Sequence, residues 1–176
     1  MYQMIQKYTT YKVLRLFFDF PTRRFQLREM SRQLHIGMPS LKMHIKRLEK
    51  EKLIKKEKNG VWASYRASRN ETFMMYKRCD VLLRLRESGI IDVLVDECAP
   101  NALVLFGSAS RGEDIEGSDI DILVVAEEKN IMLKKYEATL KRKIHLTFEG
   151  SPKKLPKELL NNIINGIVIY GYVKVL

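Results

Sequence analysis

The chain has 176 residues, with 32 Lys and Arg against 21 Asp and Glu for a formal charge of +11, 45% apolar residues and two cysteines. That length suits one medium domain or two small ones, and the apolar fraction excludes a disordered or low-complexity chain. Cys79 and Cys98 alone cannot staple a disulfide framework. No window approaches the ~18 uncharged apolar residues of a membrane span, and the opening MYQMIQKYTTYK lacks the apolar stretch of a signal peptide. The expectation is a soluble, cytoplasmic protein with no membrane partner.

The charge is unevenly placed. Residues 1–70 hold 17 Lys and Arg against 5 Asp and Glu, a net of +12, while residues 101–176 hold 11 against 10. A localised basic block suggests a polyanion partner, with a merely solubilising lysine-rich face as the alternative. Within that block, Thr10 can cap a helix whose apolar positions Tyr11, Leu14, Phe17 and Phe18 stop before Pro21. A second short helix begins near Gln26 and turns Leu27, Met30 and Leu34 inward. A tight turn follows at His35-Ile36-Gly37-Met38, where Gly37 can supply positive φ. Pro39 suits the first turn of a third helix, with Leu41, Ile45 and Leu48 as its buried stripe and Leu53 beyond it. Ser40, Lys42, Met43, His44, Lys46, Arg47 and Lys50 point elsewhere. After Ile54 the period changes to two, with Asn59-Gly60 as a hairpin signal between IKKEK and VWASYRA.

Three helices followed by a basic hairpin match a helix-turn-helix with a wing. The stretch LREMSRQLHIGMPSLKMHIKRLEKEKLIKKEKNG, closed by Tyr65-Arg66, resembles winged helix-turn-helix transcription regulators, over about residues 8–68. The resemblance implies a domain at residues 1–70 that binds double-stranded DNA with its third helix in the major groove. Ser40, Lys42, Met43 and Arg47 would then meet base edges, and Lys46, Lys55, Lys56, Lys58 and Arg66 would meet phosphates or form the wing. Arg47 holding a guanine through two hydrogen bonds would give about 1–3 kcal/mol of discrimination. The alternative is a solvated basic face on a module that contacts protein.

Residues 71–99 join the two halves. Glu71 to Ser88 reads as a helix with Phe73, Met74, Leu82, Leu83 and Leu85 as apolar surface, ended by Gly89. Ile90 to Cys98 reads as another, with Ile90, Ile91, Leu94 and Val95 buried. Met74 and Met75 are expected in the core, and Cys79 and Cys98 are expected to be buried thiols. A long helix after a wing is one candidate surface for a homodimer.

The chemistry lies in ALVLF-GSASRGEDIEGSDID-ILVVA, residues 102–126. Ala102–Phe106 and Ile120–Ala126 are short apolar runs consistent with buried strands. Gly107 and Ser108 follow the first directly; a glycine there lets backbone N–H groups approach an anion, and a helix starting near Ser108 would aim its positive end at the same place. Asp119 and Asp121 are spaced i, i+2, which in a strand puts both carboxylates on one face with Cα atoms about 6.6 Å apart. Both can then reach one hard cation such as Mg²⁺, which sits about 2.1 Å from each oxygen. A phosphate cradle beside paired carboxylates is what cation-assisted phosphoryl or nucleotidyl transfer needs.

This stretch resembles the DNA polymerase β-type nucleotidyltransferase superfamily, in particular its minimal nucleotidyltransferase branch. The pattern of Gly-Ser, ten residues, then Asp-x-Asp is matched without a gap by Gly107, Ser108, Asp119 and Asp121, with Leu105, Phe106, Arg111, Gly112, Ser118 and Ile120 in agreement. The resemblance covers about residues 88–176. It implies that Gly107 and Ser108 bind a nucleoside triphosphate and that Asp119 and Asp121 bind Mg²⁺ or Mn²⁺. Arg111 would steady either the phosphates or the loop itself.

Family enzymes carry a third carboxylate on a later strand. Here the corresponding run is Lys143-Ile144-His145-Leu146-Thr147-Phe148, with His145 where the acid would stand. Imidazole is a poor Mg²⁺ ligand compared with carboxylate, and Glu149 lies about 13 Å farther along the strand. Three explanations stay open: a shifted register, His145 acting as a base, or transfer lost with nucleotide or metal binding kept; the last is favoured. Of the rest, Asn130 to Leu140 reads as helical with Leu133, Tyr136 and Leu140, and Lys141-Arg142-Lys143 as solvated by default or, alternatively, as touching a nucleic-acid or phosphate partner. Pro156 starts a last helix with Leu159, Leu160, Ile163 and Ile164, and Ile167 to Tyr172 as an extended tail that packs or dimerises.

The fold expected is α+β: a winged helix of three helices and a hairpin wing at 1–70, and at 71–176 a connecting helix plus a nucleotidyltransferase-like α/β domain with a small mixed sheet. The function expected is that of a DNA-binding regulator with a nucleotidyltransferase-like domain of weakened catalysis. The alternative is an active enzyme transferring a nucleoside monophosphate to a protein or nucleic-acid hydroxyl, with the winged helix as its targeting module.

Overall fold

The computed structural model describes residues 8–59 and 62–174, and the chain divides into two units between Lys77 and Arg78. In the first, helix α1 (Thr9–Asp19) buries Val13, Leu14, Leu16, Phe17 and Phe18. Thr10 is not its cap: the cap position is Tyr8, two residues earlier, and the Thr10 hydroxyl instead meets Nδ1 of His44 at 2.8 Å. Strand β1 (Phe25–Gln26) runs straight into α2 (Leu27–Leu34), whose start is fixed by a reciprocal capping box between Gln26 and Glu29. The turn to α3 (Met38–Lys50) takes its left-handed residue at His35, φ 53°, while Gly37 has φ −59° and serves as N-cap. The left-handed position was therefore expected two residues too late. Histidine is among the non-glycine residues that tolerate this conformation, and the Ser31 hydroxyl closes the turn on the Ile36 carbonyl at 2.7 Å.

Leu41, Ile45 and Leu48 on α3 are buried against this core together with Met30, Phe25 and Leu53. Phe17 and Phe25 meet edge-to-face at 5.5 Å, each such ring contributing about 1.5–3 kcal/mol by burial. Strands β2 (Ile54–Asn59) and β3 (Trp62–Ala67) pair antiparallel, with β1 on the other side of β3. Asn59 lies within the ladder opposite Trp62. Gly60, the other half of the expected Asn59-Gly60 turn, lies outside the described residues.

Helix α4 (Glu71–Ser88) has Phe73 in the first core and Val81 and Leu85 in the second. Met75 and Cys79 are exposed rather than buried, while Cys98 is buried as expected. After α5 (Ile90–Cys98) come β4 (Ala102–Phe106), α6 (Gly107–Arg111), β5 (Ile120–Val124), α7 (Lys134–Leu140), β6 (Ile144–Phe148), a 3-10 turn Pro152–Lys154, α8 (Lys157–Ile164) and β7 (Ile167–Gly171). The sheet order is β6-β5-β4-β7. It is mixed: β5 and β6 are parallel, with α7 as the crossover, and the other pairs are antiparallel. Leu103, Leu105, Ile120, Ile122 and Val124 pack on one side with α5, Tyr136 and Leu140. Ala102, Val104, Phe106 and Leu123 form the other side, against Ile163 of α8. Ile164, on the same helix, is exposed. Helix α7 begins at Lys134, later than the sequence suggested, with Leu133 as its N-cap. No helix among the described residues is long and apolar enough to cross a membrane.

Candidate functional site

Alternation along β5 sends Ile120, Ile122 and Val124 into one core and Asp121 to the opposite face. Asp121 pairs with Phe106 across the antiparallel ladder and with His145 across the parallel one. The chain then bends at Gly107, φ +71°, directly over the carboxylate: a Cβ built there would lie 2.5 Å from Asp121 Oδ2. Only a bare Cα fits between the bend and the acid. Ser110, buried, holds the bend by donating to the Gly107 carbonyl at 2.8 Å. On the other flank His145 Nδ1 lies 3.5 Å from Asp121 Oδ1, its ring 66% exposed. The register thus puts His145 beside Asp121, the position at which the sequence comparison expected a third acid. Glu149 is engaged elsewhere, accepting from the Ser151 backbone N–H at 2.9 Å.

Asp119 differs from the expectation in one respect: it lies just before β5, outside the ladder, whose first neighbouring rung is Ile120 N–H to the Lys143 carbonyl at 2.9 Å. Its carboxylate is exposed, and neither it nor the Ser108 hydroxyl has a hydrogen-bond partner among the described residues. Ser108 opens α6 with Gly107, so the short helix expected there is present. Arg111 is bound to Glu113 at 2.7 Å, with both side chains about half exposed. No three His, Cys, Asp or Glu side chains among the described residues gather into a ready-made metal cage.

The sequence missed Arg142. Expected to be solvated between two lysines, it is largely buried and donates to Asp114 Oδ2 at 2.6 Å, the Ser118 carbonyl at 2.8 Å and the Asp119 carbonyl at 3.0 Å. Its neighbours Lys141 and Lys143 are exposed as expected. Glu137 of α7 accepts the Ile144 N–H that opens β6, at 3.2 Å. That bond, opposed by desolvation and aided by Lys143, holds the Glu137 carboxyl below its usual pKa.

In the first unit, Ser40, Lys42, Met43, Lys46 and Arg47 are all exposed on α3, and Lys55, Lys56, Lys58 and Arg66 are exposed on β2 and β3. At ~100° per residue, Met43 and Lys50 lie farthest from the buried stripe. Two of the expected nucleic-acid residues are already engaged: Arg47 with Glu51 at 3.1 Å, and Arg66 with Glu57, which also binds Arg24 at 2.8 Å. Desolvation pushes the Glu57 carboxyl up, but the two guanidiniums together outweigh it and leave it below its usual pKa.

Residues 88–174 match the family model described as Polymerase beta, Nucleotidyltransferase. Over those residues the second unit is similar to a nucleotidyltransferase domain of that family. No curated protein matches the chain.

Proposed function

We propose that the protein binds duplex DNA through its first unit and a nucleoside triphosphate with one divalent cation through its second, as a regulator-like protein whose nucleotidyl transfer is weakened. The observation that carries the second half is the stack of Gly107 over Asp121 with His145, not an acid, alongside. The donor set suits one hard cation: Mg²⁺ is commonly held by one or two carboxylates plus substrate phosphates, with no cage of protein ligands. Asp119 and Asp121 would supply those carboxylates. Gly107 and Ser108 would meet the phosphates, the glycine because nothing larger than hydrogen fits there and the serine through its unpartnered hydroxyl. A cation bound there would neutralise charge building on the phosphates. His145 offers an imidazole instead of the further oxygen donor that a second hard cation would need, which supports binding over turnover.

For the first unit, the order α1-β1-α2-α3-β2-β3 with β1 laid on β3 supports the winged-helix reading, and the exposed lysines of α3 and β2 supply the charge. Fluorescence anisotropy with duplex DNA over a salt series tests it: neutralising about six phosphates gives a log–log slope near −5. A flat response, or no binding at low salt, removes this half. Calorimetric titration with Mn²⁺ and a non-hydrolysable triphosphate tests the other half, with binding expected in the native protein and lost in Asp119→Ala/Asp121→Ala. The imidazole beside Asp121 also favours a second reading, in which His145 takes the acceptor's proton in an active transferase. Labelled triphosphate incubated with protein and cell extract would then label an acceptor, and the double variant would not.

A further inference from the structure

We propose that Arg142 is a positioning residue for Asp119, gripping from inside the fold the loop that carries this carboxylate; the inference rests on the reading of Asp119 as a cation ligand. Asp119 stands before β5, so the peptides on either side of it lack the full ladder support that Asp121 receives from both neighbouring strands. Arg142 replaces that support. Its Nε reaches the Ser118 carbonyl at 2.8 Å and its Nη2 the Asp119 carbonyl at 3.0 Å, so one rigid planar group holds two consecutive peptides. Its Nη1 is fixed in turn by Asp114, 2.6 Å away and only 5% exposed.

The same loop is closed from its other end. Ser118 Oγ accepts the Ile115 N–H at 3.0 Å, the Ser118 N–H donates to the Ile115 carbonyl at 3.1 Å, and Gly117 turns the chain at φ +81°. The peptides around Asp119 are thereby set from both sides while its carboxylate stays exposed. A lysine could keep the charge opposite Asp114, but its single ammonium has no planar fork with which to span three acceptors.

The test uses the full chain with Mn²⁺ and inorganic triphosphate, a probe independent of the base, and follows water proton relaxation, which rises when the Mn²⁺–triphosphate complex joins the slowly tumbling protein. Near-ultraviolet circular dichroism reports on the fold. Native protein should bind, and Asp119→Asn should bind far more weakly. Arg142→Lys, folded, should lose about tenfold or more in affinity, the usual effect of removing a group that orients a ligand. Arg142→Ala should regain affinity when millimolar guanidinium is added, which a general loss of stability would not produce. Native affinity in a folded Arg142→Lys variant overturns the inference while leaving Asp119 in place. Absence of binding by the native protein overturns the Asp119 reading itself, and this inference with it.

Discussion

Arg24, Arg47 and Arg66 in the first unit each meet a glutamate at the surface, whereas Arg142 in the second reaches a buried aspartate and two backbone carbonyls. The side chains are chemically the same, but their surroundings assign them different work. An exposed pair gains little, because water screens both charges and two long side chains lose freedom to hold it. A buried pair cannot be halved without stranding a charge out of water. The contrast predicts where substitution hurts. Arg142→Ala should cost about 3 kcal/mol or more in urea unfolding, while Arg47→Ala should stay within about 0.5 kcal/mol. Equal costs for the two would erase the distinction.

A second break point is Gly107, where a side chain would meet both an unfavourable φ of +71° and the oxygen of Asp121 2.5 Å away. The conformational part alone should cost Gly107→Ala about 1–2 kcal/mol. The variant relieves the clash by turning Asp121 aside, so Mn²⁺–triphosphate affinity should fall even at temperatures where the variant is fully folded. A folded Gly107→Ala protein with native affinity would detach the bend from the site.

The two regions also differ in how far their sequences could be read. The exposed face of α3 follows from spacing alone, since Leu41, Ile45 and Leu48 fix which way every other side chain turns. Gly107 and Asp121 were legible for another reason: strand, glycine bend and acid follow one another within twenty residues, so their meeting needs one antiparallel pairing. Arg142 was not legible, because its partner Asp114 lies 28 residues away and nothing between Lys141 and Lys143 marks the central residue. The left-handed turn residue was misplaced because both His35 and Gly37 can adopt that conformation, and only the packed helices decide between them. The exposure of Cys79 and Met75 escaped because α4 carries apolar residues on several faces, leaving no single stripe to point inward.

On the proposed DNA face the comparison can be sharpened within one helix. Lys46 has no acidic partner among the described residues, whereas Arg47 has Glu51. Lys46→Ala should therefore weaken duplex binding and reduce the salt slope by about one. Arg47→Ala should reduce it by less, and Glu51→Gln should strengthen binding by releasing Arg47. Identical slopes for the two basic substitutions would mean that the surface pair opens freely on DNA.

The smallest effect expected is the acid response of the two lowered carboxyls, Glu57 among arginines and Glu137 at the start of β6. Each is held below its usual 4.5 in the folded chain. The unfolded chain thus takes up the proton first as pH falls, and the stabilising contribution, complete above the usual value, drains away as pH drops through the folded one. Glu137→Gln keeps an oxygen for the Ile144 N–H but removes the charge facing Lys143. Thermal unfolding near neutral pH should then barely change, while the loss of stability below the usual carboxyl value should be shallower than in the native chain. Glu57→Gln should flatten the same limb but also free Arg24 and Arg66, so unlike Glu137→Gln it should strengthen duplex binding at low salt. If both variants altered DNA affinity alike, the arginines of the first unit would not be restrained by their glutamate as the geometry implies.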